Sequence, residues 1–537
     1  MGAQALAVLV GAVFVAALAR RFNLSSPLVL VVAGLAVGLI PGIPPIVLEP
    51  EVVLFVLLPP LLWSAGLESS TVNLRRNKRS ITMLAVGLPL ATTAAVGIVA
   101  FELVPDLTLA AALTLGAIVA PPDAVSASAI GRRLGLPRRT MTLLGGESLL
   151  NDATALTAYK VALAATIGAA AGWTHAVGTF ALAVTCGILV GVVLGRVIVY
   201  VRTRLNDPLI ESGIGLLAPF GIYLIAEEAH GSGVLAVVVA ALIIGQHSTD
   251  AGYATRLQDD AVWRALQLLL ESFAFLLIGL QLPTVISELT GIRASTLAVA
   301  SVGVLATVIV VRIAWVFLFA YLPRLLVLGI REAEPSPPAA QVFIVAWAGM
   351  RGVVSLAAAF AVPLTTMSGD PLPGRPQLVF LTFVVVIGTL LLHGLTLPWL
   401  IRALDVQGDE ARTDAVRAAA AQSRASAAAA KRLDEVLEEQ RQSGDSPAMY
   451  HRAADVLRRW NTSRGDAAWE RLGAGTDPNG RDMGESPGAA FRRLRLEMLA
   501  AERAALIKER DEQRIDDEVL RTMLHGLDLE EATLNRR

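Results

Sequence analysis

Long apolar runs separated by short polar loops fill the first three quarters of the chain. Runs of about 17–25 apolar residues are long enough to cross a bilayer as helices. Thirteen runs of roughly this length lie at 4–19, 26–42, 51–67, 80–101, 107–131, 140–168, 173–200, 208–229, 231–247, 262–283, 294–322, 339–363 and 376–401. The pattern predicts an all-α polytopic membrane protein with about thirteen transmembrane helices, numbered below as spans 1 to 13.

Charge divides the 537-residue chain near residue 402. Residues 403–537 hold 22 of the 45 basic and 26 of the 46 acidic side chains, which leaves residues 1–402 with little charge to solvate a surface. We therefore predict a transmembrane domain at 1–402 and a soluble helical tail at 403–537. The net charge of −1 argues against a nucleic-acid partner. The one cysteine, Cys186, excludes a disulfide within the chain and a cysteine-based metal site.

The distribution of basic residues predicts the orientation. Loops after odd-numbered spans hold fifteen Lys and Arg residues, whereas loops after even-numbered spans hold only Arg293 and Arg375. The positive-inside rule makes the odd loops cytoplasmic, so the N-terminus lies outside and the tail inside. Only four of the 45 basic residues are lysines, which indicates a GC-rich bacterial genome and hence a bacterial inner (plasma) membrane.

Two spans contain residues that break a helix. Span 5 contains the segment 120–124 with two successive prolines, and span 12 contains the segment 347–352 with two glycines around an arginine. Spans 5 and 12 are seven spans apart, an odd number, so they cross the membrane in opposite directions. Spans 1–6 and 8–13 are therefore expected to form two inverted six-helix repeats. Interrupted helices at corresponding positions of inverted repeats mark a transporter's binding site. Pro59-Pro60 and Pro219 are also expected to interrupt their helices.

Span 6 carries an oxygen-rich motif, Gly146-Glu147-Ser148-Leu149-Leu150-Asn151-Asp152. Residues four apart share a helix face, which pairs Glu147 with Asn151 and Ser148 with Asp152. A charge at the bilayer centre costs at least ~2.5 kcal/mol, so these groups face a protein interior or a water-filled cavity. Hard cations prefer oxygen ligands. A carboxylate that binds either a cation or a proton, but not both, is a minimal exchanger.

Three charged residues near this motif each have two interpretations. Glu147 either lines the ion site or pairs with a buried arginine, and Asp123 either binds the ion or caps the second half of span 5. Arg351 either neutralises facing half-helix C-termini or pairs with Glu147.

Two further charged residues within the spans also stay open. Lys160 either shares the face of Asp152 or snorkels toward the outer interface. Glu271 in span 10 either pairs with Arg264 or lines an inner vestibule.

Four segments together resemble the sodium/proton exchangers of the cation–proton antiporter superfamily, in the electroneutral NhaP-type branch whose bacterial members have a soluble C-terminal tail. They are 120–125, 146–153, 231–238 and 351–356. The resemblance covers the transmembrane domain to about residue 402. It implies thirteen spans, an inverted repeat and a homodimer. It also implies a core of spans 4–6 and 11–13 that moves against a dimerisation part in an elevator-like cycle.

The same resemblance assigns roles to individual residues. It implies that Asp152 is the essential cation- and proton-binding carboxylate, with Asn151 beside it. Ser148 and Asp123 are implied as supporting ligands, so that Asp152 and Asp123 hold the monovalent metal cation. Glu147 and Arg351 are implied as a structural ion pair. Because the electrogenic branch has a second aspartate where this chain has Asn151, one cation per proton is expected.

Pro122 departs from the pattern of the resembled family. Many relatives have threonine before the aspartate of span 5, whereas Pro122 offers neither a side-chain oxygen nor an N–H. A carbonyl or a water molecule must replace the missing hydroxyl. The choice among Na⁺, K⁺ and Li⁺ therefore stays open, with Na⁺ as the first expectation.

The tail reads as helix over 411–440 and again over about 488–525, with a loop at 473–480. Ile515, Val519, Leu520, Met523 and Leu524 fall on one face of the second run. Regulation of transport, contact between dimer partners and simple solvation are all open for this segment.

The sequence favours secondary cation/proton antiport across the plasma membrane, with pH homeostasis as its role. No phosphate-binding loop is present to indicate an ATP-driven pump. We expect no cofactor beyond the transported ions, and membrane lipid as the surrounding partner. An intramembrane hydrolase using Asp123 and Asp152 as an acid–base pair, and a cation channel, are the alternatives.

Overall fold

Helices account for the regular structure of the described residues, apart from an isolated bridge between Thr365 and Pro371. The computed structural model describes residues 2–22, 24–40, 50–105, 107–168, 173–205, 207–287, 289, 293–326, 336–372, 374–406, 410–442, 451–462 and 487–535. The chain folds as two compact units, Met1–Gly408 and Asp409–Arg537. The loop predicted at 473–480 lies outside the described residues.

The helices of the first unit follow the apolar runs. They are α1 Gly2–Arg21, α2 Ser26–Gly38, α3 Pro50–Glu68, α4 Thr71–Arg76, α5 Lys78–Leu103, α6 Leu109–Val119, α7 Ala124–Arg133, α8 Arg138–Thr166, α9 Trp173–Arg202, α10 Pro208–Glu228, α11 Gly233–Gln246, α12 Tyr253–Ser287, α13 Ala294–Leu326, α14 Ala339–Trp347, α15 Val353–Phe360 and α16 Arg375–Ala403. Each of the thirteen predicted runs coincides with a helix or a pair of helices. The fold class is therefore confirmed as all-α and rich in apolar helices.

Length and hydropathy alone identify six helices that could cross a membrane among the described residues. These are α5, α10, α12, α13, α16 and the segment Val177–Arg202 of α9. The remaining runs form shorter helices, interrupted helices or, in α8, a helix with several charged side chains. The number of thirteen crossings therefore stays a prediction, although every run is helical.

Both predicted helix breaks are present. The backbone leaves the helical conformation between α6 and α7 at 120–123, and between α14 and α15 at 348–352. The other expected breaks are wrong, because α3 continues through Pro59-Pro60 and α10 continues through Pro219. Pro59 and Pro60 are buried and packed by neighbouring helices, and such packing lets a membrane helix tolerate the backbone hydrogen bonds that proline removes.

Small residues allow α2 and α12 to cross with their backbones in contact. A methyl group added at Gly34 would overlap the carbonyl oxygen of Leu276, and one at Gly279 would overlap the carbonyl oxygen of Val31. Such crossings are typical of membrane helix pairs, which gain from close van der Waals packing rather than from hydrophobic burial. This crossing holds α12, which contributes to both cavities described below.

The second unit is helical, with α17 Glu410–Gln442, α18 over 451–462, α19 Pro487–Asp511 and α20 Asp517–Asn535. The helix predicted at 411–440 agrees with α17. The run predicted at 488–525 is two helices rather than one, because the chain turns at 512–516, where Gln513 adopts a positive φ of 58°. Ion pairs join α19 to α20, among them Arg495 with Glu530 at 2.7 Å.

Candidate cation and proton site

The two interrupted helices meet at their breaks. The backbone N–H of Asp123, after α6, donates to the carbonyl oxygen of Met350, after α14, at 2.6 Å. Gly352 packs directly on Asp123, because a methyl group added at Gly352 would lie 2.6 Å from both Cβ and Oδ2 of that side chain. The sequence therefore brings two unwound segments together and leaves a carboxylate at their junction.

Helix α8 crosses this junction and presents two different faces to it. On one face, the Asn151 carboxamide donates from Nδ2 to the carbonyl oxygen of Pro122 at 3.1 Å. Oδ1 of Asn151 is buried and has no hydrogen-bond partner among the described residues. Pro122, which cannot donate, thus contributes a backbone acceptor that fixes Asn151 rather than a side-chain ligand.

The other face of α8 lines a cavity of about 70 Å³. Ser148 and Asp152 contribute from α8, Pro122 and Asp123 from the break after α6, and Gly352 from the break after α14. A cavity of this size has room for several water molecules or for a partly hydrated ion. Asp152 is only 7% exposed, and the structure gives it no ion pair with any described residue. It is a buried carboxylate beside open space.

Glu147 has a different environment from Asp152, although the two lie on the same helix. Both of its oxygens accept hydrogen bonds from the guanidinium of Arg312 in α13, the Oε2 bond from Nη2 measuring 3.0 Å. Glu147 and Arg312 are each 1% exposed. The expected ion pair of Glu147 with Arg351 is therefore wrong in its partner. Arg312 makes the bidentate contact because it lies directly across from Glu147.

Arg351 instead binds the end of the other broken helix. Its Nε donates to the carbonyl oxygen of Val119, the last residue of α6, at 2.8 Å, and its Nη1 donates to the carbonyl oxygen of Gly349 at 2.5 Å. Of the two interpretations left open for Arg351, neutralisation of a half-helix C-terminus is the one that the geometry supports.

Arg312 performs the same task at span 12. Its Nε donates to the carbonyl oxygen of Ala346 and its Nη2 to that of Val345, each at 3.0 Å, in the last turn of α14. Each half-helix C-terminus at the junction is thus bound by a buried arginine. The partial negative charges of these C-termini and the carboxylate of Glu147 are balanced without using Asp152.

The described residues contain no cluster of three or more His, Cys, Asp or Glu side chains that could hold a metal ion. Asp123, Asp152 and Glu271 line the same cavity without forming such a cluster.

A family model described as the transmembrane sodium/hydrogen exchanger matches residues 7–403. The chain belongs to the sodium/hydrogen exchanger family. It is a multi-pass membrane transporter that exchanges cations for protons, and not an enzyme.

Relatives of this exchanger cover most of its length. An uncharacterized Na⁺/H⁺ exchanger of Mycobacterium tuberculosis is 35% identical over 535 residues, which are 98% of this chain and 94% of that protein. The Na⁺/H⁺ antiporter ApNhaP of Aphanothece halophytica is 32% identical over 72% of this chain and 70% of its own. A sodium, potassium, lithium and rubidium/H⁺ antiporter of Bacillus pumilus is 32% identical over 71% of this chain and 58% of its own.

The fold is similar to that of a solved antiporter. The sodium proton antiporter MjNhaP1 of Methanocaldococcus jannaschii superposes with a TM-score of 0.59 over 75% of this chain and 98% of its own. Sequence identity between the two is 18%, so the likeness concerns the fold alone. It agrees with the resemblance to the NhaP-type branch drawn from the motifs.

The structure also gives partners to Glu271 and Lys160, whose roles the sequence left open. Glu271 lines the same cavity as Asp152 and accepts a hydrogen bond from Gln267 at 2.7 Å, while Arg264 pairs with Asp260 instead. Lys160 reaches away from Asp152 and donates to Glu227 at the end of α10 at 2.6 Å.

Sequence reasoning missed two buried groups beside the site. Arg312 lies in the middle of the apolar span 11, where its cost in hydrocarbon should have marked it as paired. His393 in α16 is 2% exposed, and the centroid of its ring lies 4.9 Å from that of the Trp347 ring. A histidine in an apolar span was the available signal for it.

Proposed function

We propose that this exchanger couples the movement of one monovalent cation, Na⁺ first, to the opposite movement of one proton through competition for Asp152. The observation that carries the proposal is the contrast between two carboxylates on one helix. Glu147 is neutralised by Arg312, whereas Asp152 lines a cavity and has no ion pair with any described residue. Burial disfavours a bare carboxylate, so Asp152 is expected to hold either a proton or a cation.

The remaining ligands follow from the cavity. Asp123, from the break after α6, and Ser148, one turn before Asp152 on α8, are proposed to complete the cation shell, with Asn151 acting through its hold on Pro122. Because Asn151 carries no charge, Asp152 alone changes its occupant in a cycle. One cation per proton and electroneutral exchange follow from this proposal.

The choice of cation depends on the ligands around it, and residue 122 supplies no hydroxyl group among them. The Pro122 carbonyl oxygen already accepts from Asn151, so we propose that water supplies the missing ligand and allows cations of different size to fit the site. The names of the relatives include both Na⁺/H⁺ antiporters and an antiporter for sodium, potassium, lithium and rubidium. A K⁺-preferring antiporter is accordingly the second candidate.

The cycle is proposed to be alternating access in a homodimer in the bacterial plasma membrane, with the N-terminus outside and the tail in the cytoplasm. From α3, the cavity is lined by Leu58 near the middle of the helix and by Leu61, Leu62 and Ala65 in its C-terminal half, which ends on the side of the basic loops. An inward-facing state accounts for this position. No cofactor other than the transported ions is required.

A cation panel in proteoliposomes tests the proposal. The purified full chain is reconstituted with an acid interior, and Na⁺, K⁺ and Li⁺ are added outside at several pH values while the internal pH is followed. We expect Na⁺ to collapse the pH gradient, without a change in membrane potential, and to be needed at higher concentration at lower pH because protons compete.

The outcomes separate the alternatives. A cation flux that continues without any counter-movement of protons indicates a channel and contradicts the proposal. A flux that changes the membrane potential contradicts the one-to-one ratio while leaving antiport intact. Collapse by K⁺ at lower concentration than Na⁺ moves the preference to the second candidate.

A further inference from the structure

A second cavity of about 280 Å³ lies between the ends of four helices and shares no lining residue with the ion site. Its walls come from the last turns of α3, α9 and α11 and the first turns of α12. All four of these helix ends lie on the side that the basic loops mark as cytoplasmic. The volume is just below the ~300–1,000 Å³ of pockets for drug-sized ligands, so the cavity suits a smaller group.

The depth of the cavity in the membrane follows from its surroundings. Tyr200 in α9 and Tyr253 at the start of α12 are both exposed large aromatic residues beside the cavity. Tyrosines at helix ends are typical of the interface between hydrocarbon and headgroups. Leu67, Ile244 and the buried Trp263 give the cavity an apolar wall. The cavity is therefore at the level of lipid headgroups.

The polar lining contains charges of both signs. Arg202, whose side chain is 10% exposed, donates from Nη2 to Asp259 at 2.6 Å, yet its Nε is buried with no hydrogen-bond partner among the described residues. Arg256 donates only to the backbone carbonyl oxygens of Thr249 and Ala251. The guanidinium groups of Arg202 and Arg256 thus line one cavity, and that of Arg256 has no carboxylate partner, as the binding of an oxyanion requires.

A carboxylate with no ion pair completes the lining. Glu68, the last residue of α3, is exposed, and the structure gives it no ion pair within the described residues. Asp260 and Arg264 also line the cavity and form an ion pair with each other. An anionic ligand alone would therefore leave the carboxylate of Glu68 without a hydrogen-bond donor, and a cationic ligand alone would leave Arg256 without an anionic partner. A zwitterion matches both ends of the cavity.

We propose that this cavity binds the phosphoethanolamine headgroup of a membrane phospholipid. The phosphate accepts from the guanidinium groups of Arg202 and Arg256, and the primary ammonium donates to Glu68. A quaternary choline group cannot donate a hydrogen bond to Glu68, so ethanolamine is the better match. The acyl chains then lie against the apolar outer surface of the helices. The proposal does not depend on the transport mechanism.

Native mass spectrometry of the delipidated full chain tests the proposal. The protein is titrated with phosphatidylethanolamine, phosphatidylcholine or phosphatidylglycerol of identical acyl chains, and bound lipids are counted per chain. We expect one phosphatidylethanolamine per chain to bind at lower concentration than either other lipid. Arg256→Gln and Glu68→Gln should each weaken that binding by about fivefold, as loss of one partly exposed charge contact predicts.

The controls are two exposed charges that do not line the cavity. Arg204, which stacks on Tyr200, is changed in Arg204→Gln, and Asp250 is changed in Asp250→Asn. Neither change should alter the preference for phosphatidylethanolamine. The assignment is overturned if phosphatidylglycerol binds as tightly, if the two cavity variants bind like the unaltered chain, or if free phosphoethanolamine binds as tightly as the lipid and so identifies a soluble ligand.

Discussion

The two faces of α8 each carry a buried carboxylate, but the two carboxylates have different surroundings. Glu147 and Asp152 are both buried carboxylates, five residues apart on one helix. Glu147 meets the guanidinium of Arg312 and is fixed on both oxygens, whereas Asp152 meets a cavity of about 70 Å³. Residue type and burial therefore do not separate an acid that is held in an ion pair from an acid that lines a cavity. The presence of a buried counter-charge does.

The residues next to Asp152 and Glu147 in sequence are also divided between the packed face and the cavity face of α8. Asn151, next to Asp152 in sequence, belongs to the packed face because its carboxamide holds the backbone of Pro122. Ser148, next to Glu147, belongs to the cavity face. The i and i+4 periodicity of a helix thus sorts four polar residues into one pair that positions the break and one pair that lines the cavity.

The largest effect is expected at the cavity face. Asp152→Asn removes the group for which cation and proton compete, so exchange should fall to the background of empty proteoliposomes. The protein should stay folded, because an uncharged carboxamide removes a buried charge that no described ion pair balances. Internal pH after a Na⁺ pulse measures the exchange, and elution and thermal stability in detergent measure the fold.

Asp370→Asn, in an exposed loop, is the matched control and should exchange normally. Coupled exchange that survives in Asp152→Asn would move the site to Asp123 and remove the difference between the two faces.

The packed face should show the opposite behaviour. Glu147→Gln or Arg312→Gln leaves one buried charge unpaired, and breaking a buried pair costs about 3–5 kcal/mol of folding free energy. The thermal stability of purified protein should therefore drop strongly.

A double-mutant cycle identifies the partner of Glu147. Glu147→Gln with Arg312→Gln should show a coupling energy larger than that of Glu147→Gln with Arg351→Gln, since only Arg312 makes the bidentate contact. A larger coupling with Arg351 would restore the pair implied by family resemblance.

A smaller effect should follow from disturbing the junction between the faces. In Gly352→Ala the added methyl group would lie 2.6 Å from Cβ and Oδ2 of Asp123, so that side chain must shift from its position at the cavity. We expect the Na⁺ concentration for half-maximal exchange to rise about tenfold, because displaced ligands bind poorly. Gly145→Ala is the control, since nothing lies within 4 Å of a methyl group there. Equal apparent affinities in the two variants would mean that Asp123 does not bind the cation.

The smallest effect should come from an ion pair without burial. The hydrogen bonds from Arg495 lower the pKa of Glu530 from its ordinary value, so the pair stabilises the tail above the ordinary glutamate pKa. That contribution is lost as pH falls through the lowered pKa. Because both side chains are partly exposed, Glu530→Gln should raise hydrogen exchange in α19 and α20 of the full chain only slightly at neutral pH.

Glu497→Gln, on the same hairpin, should leave hydrogen exchange in α19 and α20 unchanged. An effect of Glu530→Gln as large as that of Glu147→Gln would show that burial is not what makes the buried pair important.

Periodicity and breaker residues predicted much of this fold. The apolar runs predicted most helix ends to within a few residues, although α12 begins at Tyr253, well before its predicted run at 262–283. The breaks at 120–124 and 347–352 followed from proline and glycine among polar groups. Pro59, Pro60 and Pro219 failed as breakers because neighbouring helices, which a local pattern does not show, hold their helices together. The split of the tail helix at 512–516 also lacked a strong breaker.

The sequence predicted which residues line the site better than it predicted which residues contact each other there. Asp123, Ser148 and Asp152 meet at one cavity, as their spacing and the broken helices indicated. The partner of Glu147 was missed because Arg312 and Arg351 are both buried arginines, and only the packing of α13 against α8 decides between them. Sequence separation of 165 residues carries no signal for that choice.

Proton release on cation binding tests the central claim most directly. Purified protein is kept in a weakly buffered detergent solution at the pH at which its exchange rate is half-maximal. NaCl is then added, and a pH indicator measures the protons released. Competition at Asp152 predicts that Na⁺ releases at most about one proton per chain, a number that falls as the starting pH is raised, and that Asp152→Asn releases none. Release of the same number of protons from both proteins, or Na⁺ binding without any proton release, would contradict the account.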